Sequence, residues 1–269
     1  MKNKISLILA IVAIVGMGAG LYWQYGKLLK CGDSQVCAPD SMPANAVGMS
    51  AVTVAQSDSF YDIRAEYPQF DSADATFNKK IADTVNGLVD VFKKEAKDNF
   101  DARNATIPPG QPVLQNPAEP FDFIAAVTPA QYSPDYESFM IDVYYFSGGA
   151  HGIDQILAFN YDLKNKKEIT IVDFLGSADN LAKLAQMAQS QVAAQVQSSG
   201  LQLNDSLKQM IADGTAATAG NYRNFTFGYG KLTVYFEQYQ VAPGSAGTIK
   251  IDFYKNDLEQ NGINTNFIN

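Results

Sequence analysis

The spacing of apolar positions along this chain shifts from an unbroken run to periods of about two and about 3.6, and each regime predicts a different element. From Ile5 to Trp23 no charged residue occurs. At about 1.5 Å per residue such a helix reaches roughly 28 Å, close to the ~30 Å hydrocarbon core of a bilayer. A strand is expected at Phe60–Tyr67, stopped by Pro68. A helix follows over about Ser72–Phe100, with Phe77, Ile81, Val85, Leu88 and Phe92 on one stripe and Asp71 or Ser72 as its cap. Residues 101–120 hold six prolines and glycines and read as a loop.

Strands are expected next at 121–129 and 138–147, joined by Tyr132-Ser133-Pro134-Asp135. In the second, Phe139, Ile141, Val143 and Tyr145 form one apolar face. A third strand, Asp154–Leu163, turns at Lys164–Lys167 into another at Glu168–Val172. The period then returns to that of a helix over Ala178–Ser199, and a shorter helix, Ser206–Ala212, ends at Gly214. The chain closes on strands at Phe225–Phe227, Lys231–Gln238 and Thr248–Tyr254. These hairpins and segregated helices predict an α+β fold, with antiparallel sheet packed on two main amphipathic helices and one transmembrane helix ahead of it.

The resulting division is a cytoplasmic tail at 1–4, a transmembrane anchor or signal sequence at 5–25, a stalk at 26–57, and α+β subdomains at 58–130 and 131–269. Lys2 and Lys4 ahead of the apolar run favour an N-terminus in the cytoplasm, with everything beyond the run outside it. A cleaved signal peptide is the alternative, given Gly18-Ala19-Gly20, and would make the rest secreted. A lipid anchor at Cys31 is disfavoured, because Lys30 stands where a small residue is expected. In an exported chain Cys31 and Cys37 are expected to close a small disulfide loop.

Composition narrows the function classes. A hydrophobic fraction of 46% supports a true core, and a net charge of -8 disfavours nucleic acid as a partner. An acidic surface suits a basic protein or cationic ligand, or serves solubility alone. Two cysteines and one histidine cannot complete the usual Cys/His zinc set, so no metal and no cofactor are expected.

That histidine lies in Ser147-Gly148-Gly149-Ala150-His151-Gly152. Catalysis there would need a positioned nucleophile and an orienting carboxylate, for which Ser147 and Asp154 are near in sequence. The favoured reading is a backbone-shaping turn that supports a binding surface, with no catalytic residue assigned. Its proposed members are Gly148, Gly149, His151 and Gly152 together with Tyr239, Pro243 and Gly247 of the last long loop. Tyr222, Tyr229 and Tyr239 are expected to be exposed and to suit a protein interface or sugar stacking. Carboxylate pairs Asp135/Glu137 and Asp173/Asp179 could serve a glycosidase only if held about 5–10 Å apart across a cleft.

Four stretches carry a resemblance: Ala65–Phe70, Tyr144–Gly152, Asn160–Leu163 running on to Ile171–Leu175, and Leu232–Pro243 with Gly247. Over about residues 58–258 the chain resembles the extracytoplasmic module, a pair of adjoining domains of unknown function, that lysozyme-sensing RsiV-type anti-sigma factors share with PdaC-type peptidoglycan deacetylases. The resemblance implies binding rather than catalysis, with lysozyme, another basic protein or a peptidoglycan fragment as partner. Four residues ahead of the apolar run leave no room for a region that grips a sigma factor, and one histidine cannot furnish a deacetylase metal site. Neither of those activities is carried over, which leaves a wall hydrolase using His151, or a purely structural envelope protein, as alternatives.

Overall fold

The computed structural model describes residues 30–31, 35–36, 48–133, 135–149, 151–263 and 266–268. The chain divides into two compact units, 1–44 and 45–269. In the first, β1 (Lys30–Cys31) and β2 (Gln35–Val36) pair antiparallel. Cys37 and the apolar run at 5–25 lie outside the described residues, and with them the expected disulfide and membrane helix. Among the described residues no helix is long and apolar enough to cross a membrane.

The second unit holds a six-stranded sheet ordered β3-β4-β5-β6-β7-β8. Its strands are β3 (Met49–Ser57), β4 (Tyr61–Phe70), β5 (Phe121–Tyr132), β6 (Tyr136–Phe146), β7 (Ile153–Asp162) and β8 (Lys167–Glu168). All neighbours are antiparallel except β4 and β5, whose parallel pairing from Tyr61↔Phe121 to Ala65↔Ala125 needs a crossover. Helix α1 (Ala75–Asn104) supplies it and lays Phe77, Ile81, Val85, Val89, Phe92, Ala96 and Phe100 on one sheet face. Ile63, Ala65, Phe123, Phe139, Ile141, Val143 and Phe159 meet it from the sheet. Asp74 caps α1 by accepting from the Phe77 N–H at 2.8 Å, and its other oxygen accepts from the Tyr161 hydroxyl of β7 at 2.8 Å. These bonds hold the Asp74 carboxyl below its ordinary value.

Several expectations are corrected here. The segment 26–57 is not stalk to its end, since 49–57 form edge strand β3; its alternation is muted because most of its side chains are Ala, Ser and Thr. Pro68 lies inside β4 rather than stopping it. Pairing with β5 ends at Ala65, so no second neighbour claims the missing N–H. The helix cap is Asp74, not Asp71 or Ser72. Glu168–Val172 is not a strand: after two residues of β8, Thr170 and Asp173 close a reciprocal capping box that starts the short helix α2 (Ile171–Leu175).

A second core follows. Helices α3 (Ala178–Ser198) and α4 (Asp205–Gly214) pack with α2 on a three-stranded antiparallel sheet ordered β11-β10-β9, made of β9 (Phe225–Gly228), β10 (Lys231–Phe236) and β11 (Ile249–Tyr254), before α5 (Lys255–Gln260). The two cores change over between Leu163 and Ile169. Residue 130, where the sequence suggested a division, lies inside β5.

The cores meet through buried polar side chains. The Ser138 hydroxyl of β6 donates to Asn160 Oδ1 of β7 at 2.7 Å and accepts from the Phe227 N–H at 2.9 Å. Asn160 Nδ2 donates to the Phe225 carbonyl at 2.7 Å. Ser138 and Asn160 thus satisfy the outward edge of β9, which would otherwise be buried without partners. Tyr136 adds edge contacts to Phe227 and Phe267 at 6.1 and 5.1 Å. Replacing Asn160 by Ala strands two of these groups and is expected to cost about 1–3 kcal/mol in chemical denaturation.

Glu137, between these seam residues, is 6% exposed, and its Oε2 has no hydrogen-bond partner. Burial pushes its carboxyl up from 4.5 to about 8. Between those values the folded chain keeps a proton that the unfolded chain has released, so stability falls as pH rises through that window and levels off above it. Glu137→Gln is expected to remove this slope and to raise the unfolding midpoint at pH 8 more than at pH 5, as measured by thermal melts across pH.

Candidate functional site

The β6–β7 connection carries the glycine-histidine turn. Gly148 and Gly149 have φ of 96° and 116°, a region closed to most side chains, which lets β6 end and the chain double back. Gly152 is required for another reason: a Cβ there would overlap the Tyr144 ring, which lies against it. His151 is exposed, and its Nδ1 lies 2.8 Å from the Gly152 carbonyl. Because a carbonyl can only accept, Nδ1 carries the hydrogen. Ser147 is buried, with its carbonyl accepting from Asn99 Nδ2 at 3.0 Å, and Asp154 sits in β7 opposite Tyr144. The hydrogen bond of His151 thus goes to a backbone carbonyl, not to Ser147 or Asp154.

Beside the turn lies a groove of about 610 Å³. Phe100, Phe121 and Phe146 give it an apolar floor, and Asn99, Arg103 and Glu119 its polar rim. Gly148 and Gly149 form part of the wall. A Cβ on Gly148 would stand 3.3 Å from the Phe121 ring and 3.5 Å from Asn99 Cβ, so that wall is tight. The far wall comes from the loop after α1, held by Asn104 Nδ2 on the Leu114 carbonyl at 3.0 Å and by Ser59 with Asn116 at 3.2 Å. Asn99, Arg103, Glu119 and the three phenylalanines were not singled out in the sequence. Arg103 closes α1 and Glu119 ends a proline-rich loop, and only folding brings them to the same groove.

Tyr239, Pro243 and Gly247 lie in the β10–β11 connection and are not among the residues lining this groove. Tyr239 has φ of 69°, its ring packs against Gly244, and a 3₁₀ turn at Gly244–Ala246 shapes the rest. The two turns proposed as one binding surface share a device, a tyrosine ring on a glycine, rather than a cavity. Tyr229 is 87% exposed and Tyr239 58%, but Tyr222 is fully buried, a correction explained by its hydroxyl donating to the Thr215 carbonyl at 2.7 Å inside the second core.

The sheet face opposite α1 is covered by the second core at Ser138 and Asn160, and beyond that seam it is acidic. The strand registers place Asp62, Asp122, Asp142 and Asp154 on it with Tyr144 among them, and Arg64 pairs with Asp62 at 3.2 Å. Burial pushes Asp142 up to about 6, helped by the neighbouring Asp154 charge. Burial also raises Asp122 and Asp154. Of the carboxylate pairs suspected from sequence, Asp173 belongs to the α2 capping box, Asp179 to the first turn of α3, Glu137 is buried, and Asp135 is exposed in the bend between β5 and β6.

A six-stranded sheet with one crossover helix, a glycine turn over a groove and a second α+β core joined through β9 define a two-part α+β module. Residues 54–154 match the family model described as "Deacetylase PdaC", and residues 172–255 match "Protein of unknown function (DUF3298)". The chain is 30% identical over 129 residues to the peptidoglycan-N-acetylmuramic acid deacetylase PdaC of Bacillus subtilis, a match covering 48% of this chain and 26% of that protein. A solved DUF3298-family structure from Bacteroides fragilis has a TM-score of 0.55 at 18% identity, covering 80% of this chain and 92% of that one. Another, from Pseudomonas aeruginosa, gives 0.46 at 13% identity over 78% and 92%. The two segments that match the PdaC and DUF3298 models fall on either side of the changeover between the two cores.

If His151 only decorates the turn while Gly152 shapes it, their substitutions separate. His151→Ala is expected to stay within about 0.5 kcal/mol of wild type. Gly152→Ala, which drives a methyl into Tyr144, is expected to lose about 1–3 kcal/mol. Urea unfolding of both variants checks this.

Proposed function

We propose that this chain is a binding module of the bacterial cell envelope that holds a peptidoglycan fragment in the groove beside the glycine turn and performs no catalysis on it. The groove carries this reading. An apolar floor, a few convergent polar groups and exposed backbone at Gly148–Gly149 suit a saccharide, which presents hydroxyl edges and apolar ring faces together. The similarity over 129 residues to a protein named for peptidoglycan supports the ligand class. The residues around His151 suit shaping a wall better than moving a proton. The apolar run at 5–25 would tether the module outside the cytoplasmic membrane, or release it there if cleaved.

One observation favours a second partner. Four half-buried aspartates on the sheet face beyond the seam, in a chain of net charge -8, suit a basic protein such as lysozyme. Calorimetric titration of the purified chain with a soluble disaccharide-peptide from peptidoglycan tests the first reading. Binding is expected, weakened about tenfold, or ~1.4 kcal/mol, by Arg103→Glu. No heat with the wild type, or full affinity in Arg103→Glu, overturns it. Lysozyme binding that fades with salt and is lost in Asp122→Asn/Asp154→Asn would instead assign the basic protein to the sheet face.

A further inference from the structure

The two sheets finish their edges in opposite ways. The outward carbonyl of Phe225 and N–H of Phe227 on β9 are taken by Asn160 and Ser138. On the large sheet, β8 is only two residues long, which limits what can pair with it. β3 is nine residues long, and among the described residues its ladder partner is β4 alone. Its sequence, Met49-Ser50-Ala51-Val52-Thr53-Val54-Ala55-Gln56-Ser57, has no charge, proline or glycine. Charges, prolines and bulges are the usual devices that keep an edge strand from pairing with another chain. The nearest charge, Asp58, is turned back into its own turn, where it accepts from Gln56, Phe60 and Tyr61 at 2.6–2.8 Å.

We infer that β3 is a self-association edge, where a second copy of this chain adds its own β3 antiparallel about a two-fold axis through Thr53. The strand is nearly palindromic about that residue. In this register Val52 of one copy faces Val54 of the other, Ala51 faces Ala55, and Ser50 faces Gln56. Like meets like on both faces, as an isologous contact requires. Val52 and Val54 are half-buried against the core under α1, and the added strand covers their outer flank. Thr53 and Ala55 stay on the acidic side, where they are small enough to lie flat. In a chain of net charge -8, an uncharged edge is where two copies repel each other least. Other occupants, such as an unrelated extended peptide, have no reason to match this symmetry.

Sedimentation velocity of the full chain in mild detergent tests the inference. A dimer is expected, and Thr53→Lys, which sets two ammonium groups against each other on the axis at an exposed position, is expected to give a folded monomer whose melting temperature no longer depends on protein concentration. The register is read separately in a Cys31→Ser/Cys37→Ser background; both positions lie outside the compact unit 45–269. There Thr53→Cys is expected to oxidise to a cross-linked dimer, because directly opposed Cα atoms lie about 4.5–5.5 Å apart. Ala51→Cys is not, because its two copies would stand roughly 14 Å apart along the strands. A monomeric wild type, a dimer indifferent to Thr53→Lys, or equal cross-linking at 51 and 53 overturns the inference.

Discussion

The hydroxyl of Ser138 and the amide of Asn160 decide how the two halves of this module meet. A three-stranded sheet has two edges, and burying one against a neighbouring sheet strands its outward N–H and C=O groups unless something replaces the missing ladder. Here the replacement is two side chains on adjacent strands, bonded to each other and to β9. Because the bonds go to backbone atoms at Phe225 and Phe227, they fix the register of the small sheet against the large one, which hydrophobic contact alone would leave free to slide. The cluster of Phe174, Phe225, Phe227 and Phe267 can then pack in one arrangement. With the second core so placed, the rest of the β6–β7 hairpin is free to carry the glycine turn at its other end.

That turn illustrates how a conspicuous residue can divert attention from its neighbours. His151 is the only histidine and stands exposed, while the work of shaping falls to Gly148, Gly149 and the Tyr144–Gly152 contact. The polar groups a ligand would meet come from α1 and from the loop after it. The β10–β11 loop repeats the device with Tyr239 against Gly244. In both places the aromatic ring fills the space a side chain would otherwise occupy, giving a turn that is both tight and packed.

Much of the architecture was legible wherever a strong period met a clear stop. The α3 stripe from Leu181 to Val196 and the alternation of Phe139, Ile141 and Val143 place residues that are buried, as does the α1 stripe at Phe77, Ile81, Val85 and Phe92, although there Val89 rather than Leu88 is the buried member. Reading failed where side chains are small or where one residue has two meanings. β3 hides because Ala, Ser and Thr dilute its alternation, and Pro68 reads as a stop although it can sit where a strand has one neighbour. Tyr222 reads as a surface tyrosine because sequence does not reveal the Thr215 carbonyl that satisfies its hydroxyl. The parallel β4–β5 pair depends on residues 60 positions apart and the groove on residues up to 50 apart, and periodicity carries no information about such meetings.

The single parallel pairing also orders how the large sheet can be made. On one side of it, β3 and β4 form a hairpin with a three-residue link; on the other, β5 to β8 form a meander in which every strand follows its neighbour. Each half can close through local contacts, at small cost in chain entropy. Joining them closes a far longer loop, because the 30-residue helix and its trailing loop lie between Tyr61 and Phe121. Contact-order reasoning makes this the slow step. Asp74 gives it a guide, since the carboxylate that starts α1 also holds Tyr161 on the far side of the join. A chain made from its N-terminus thus has β3 and β4 in full before the strand that joins them to the rest of the sheet has been synthesised.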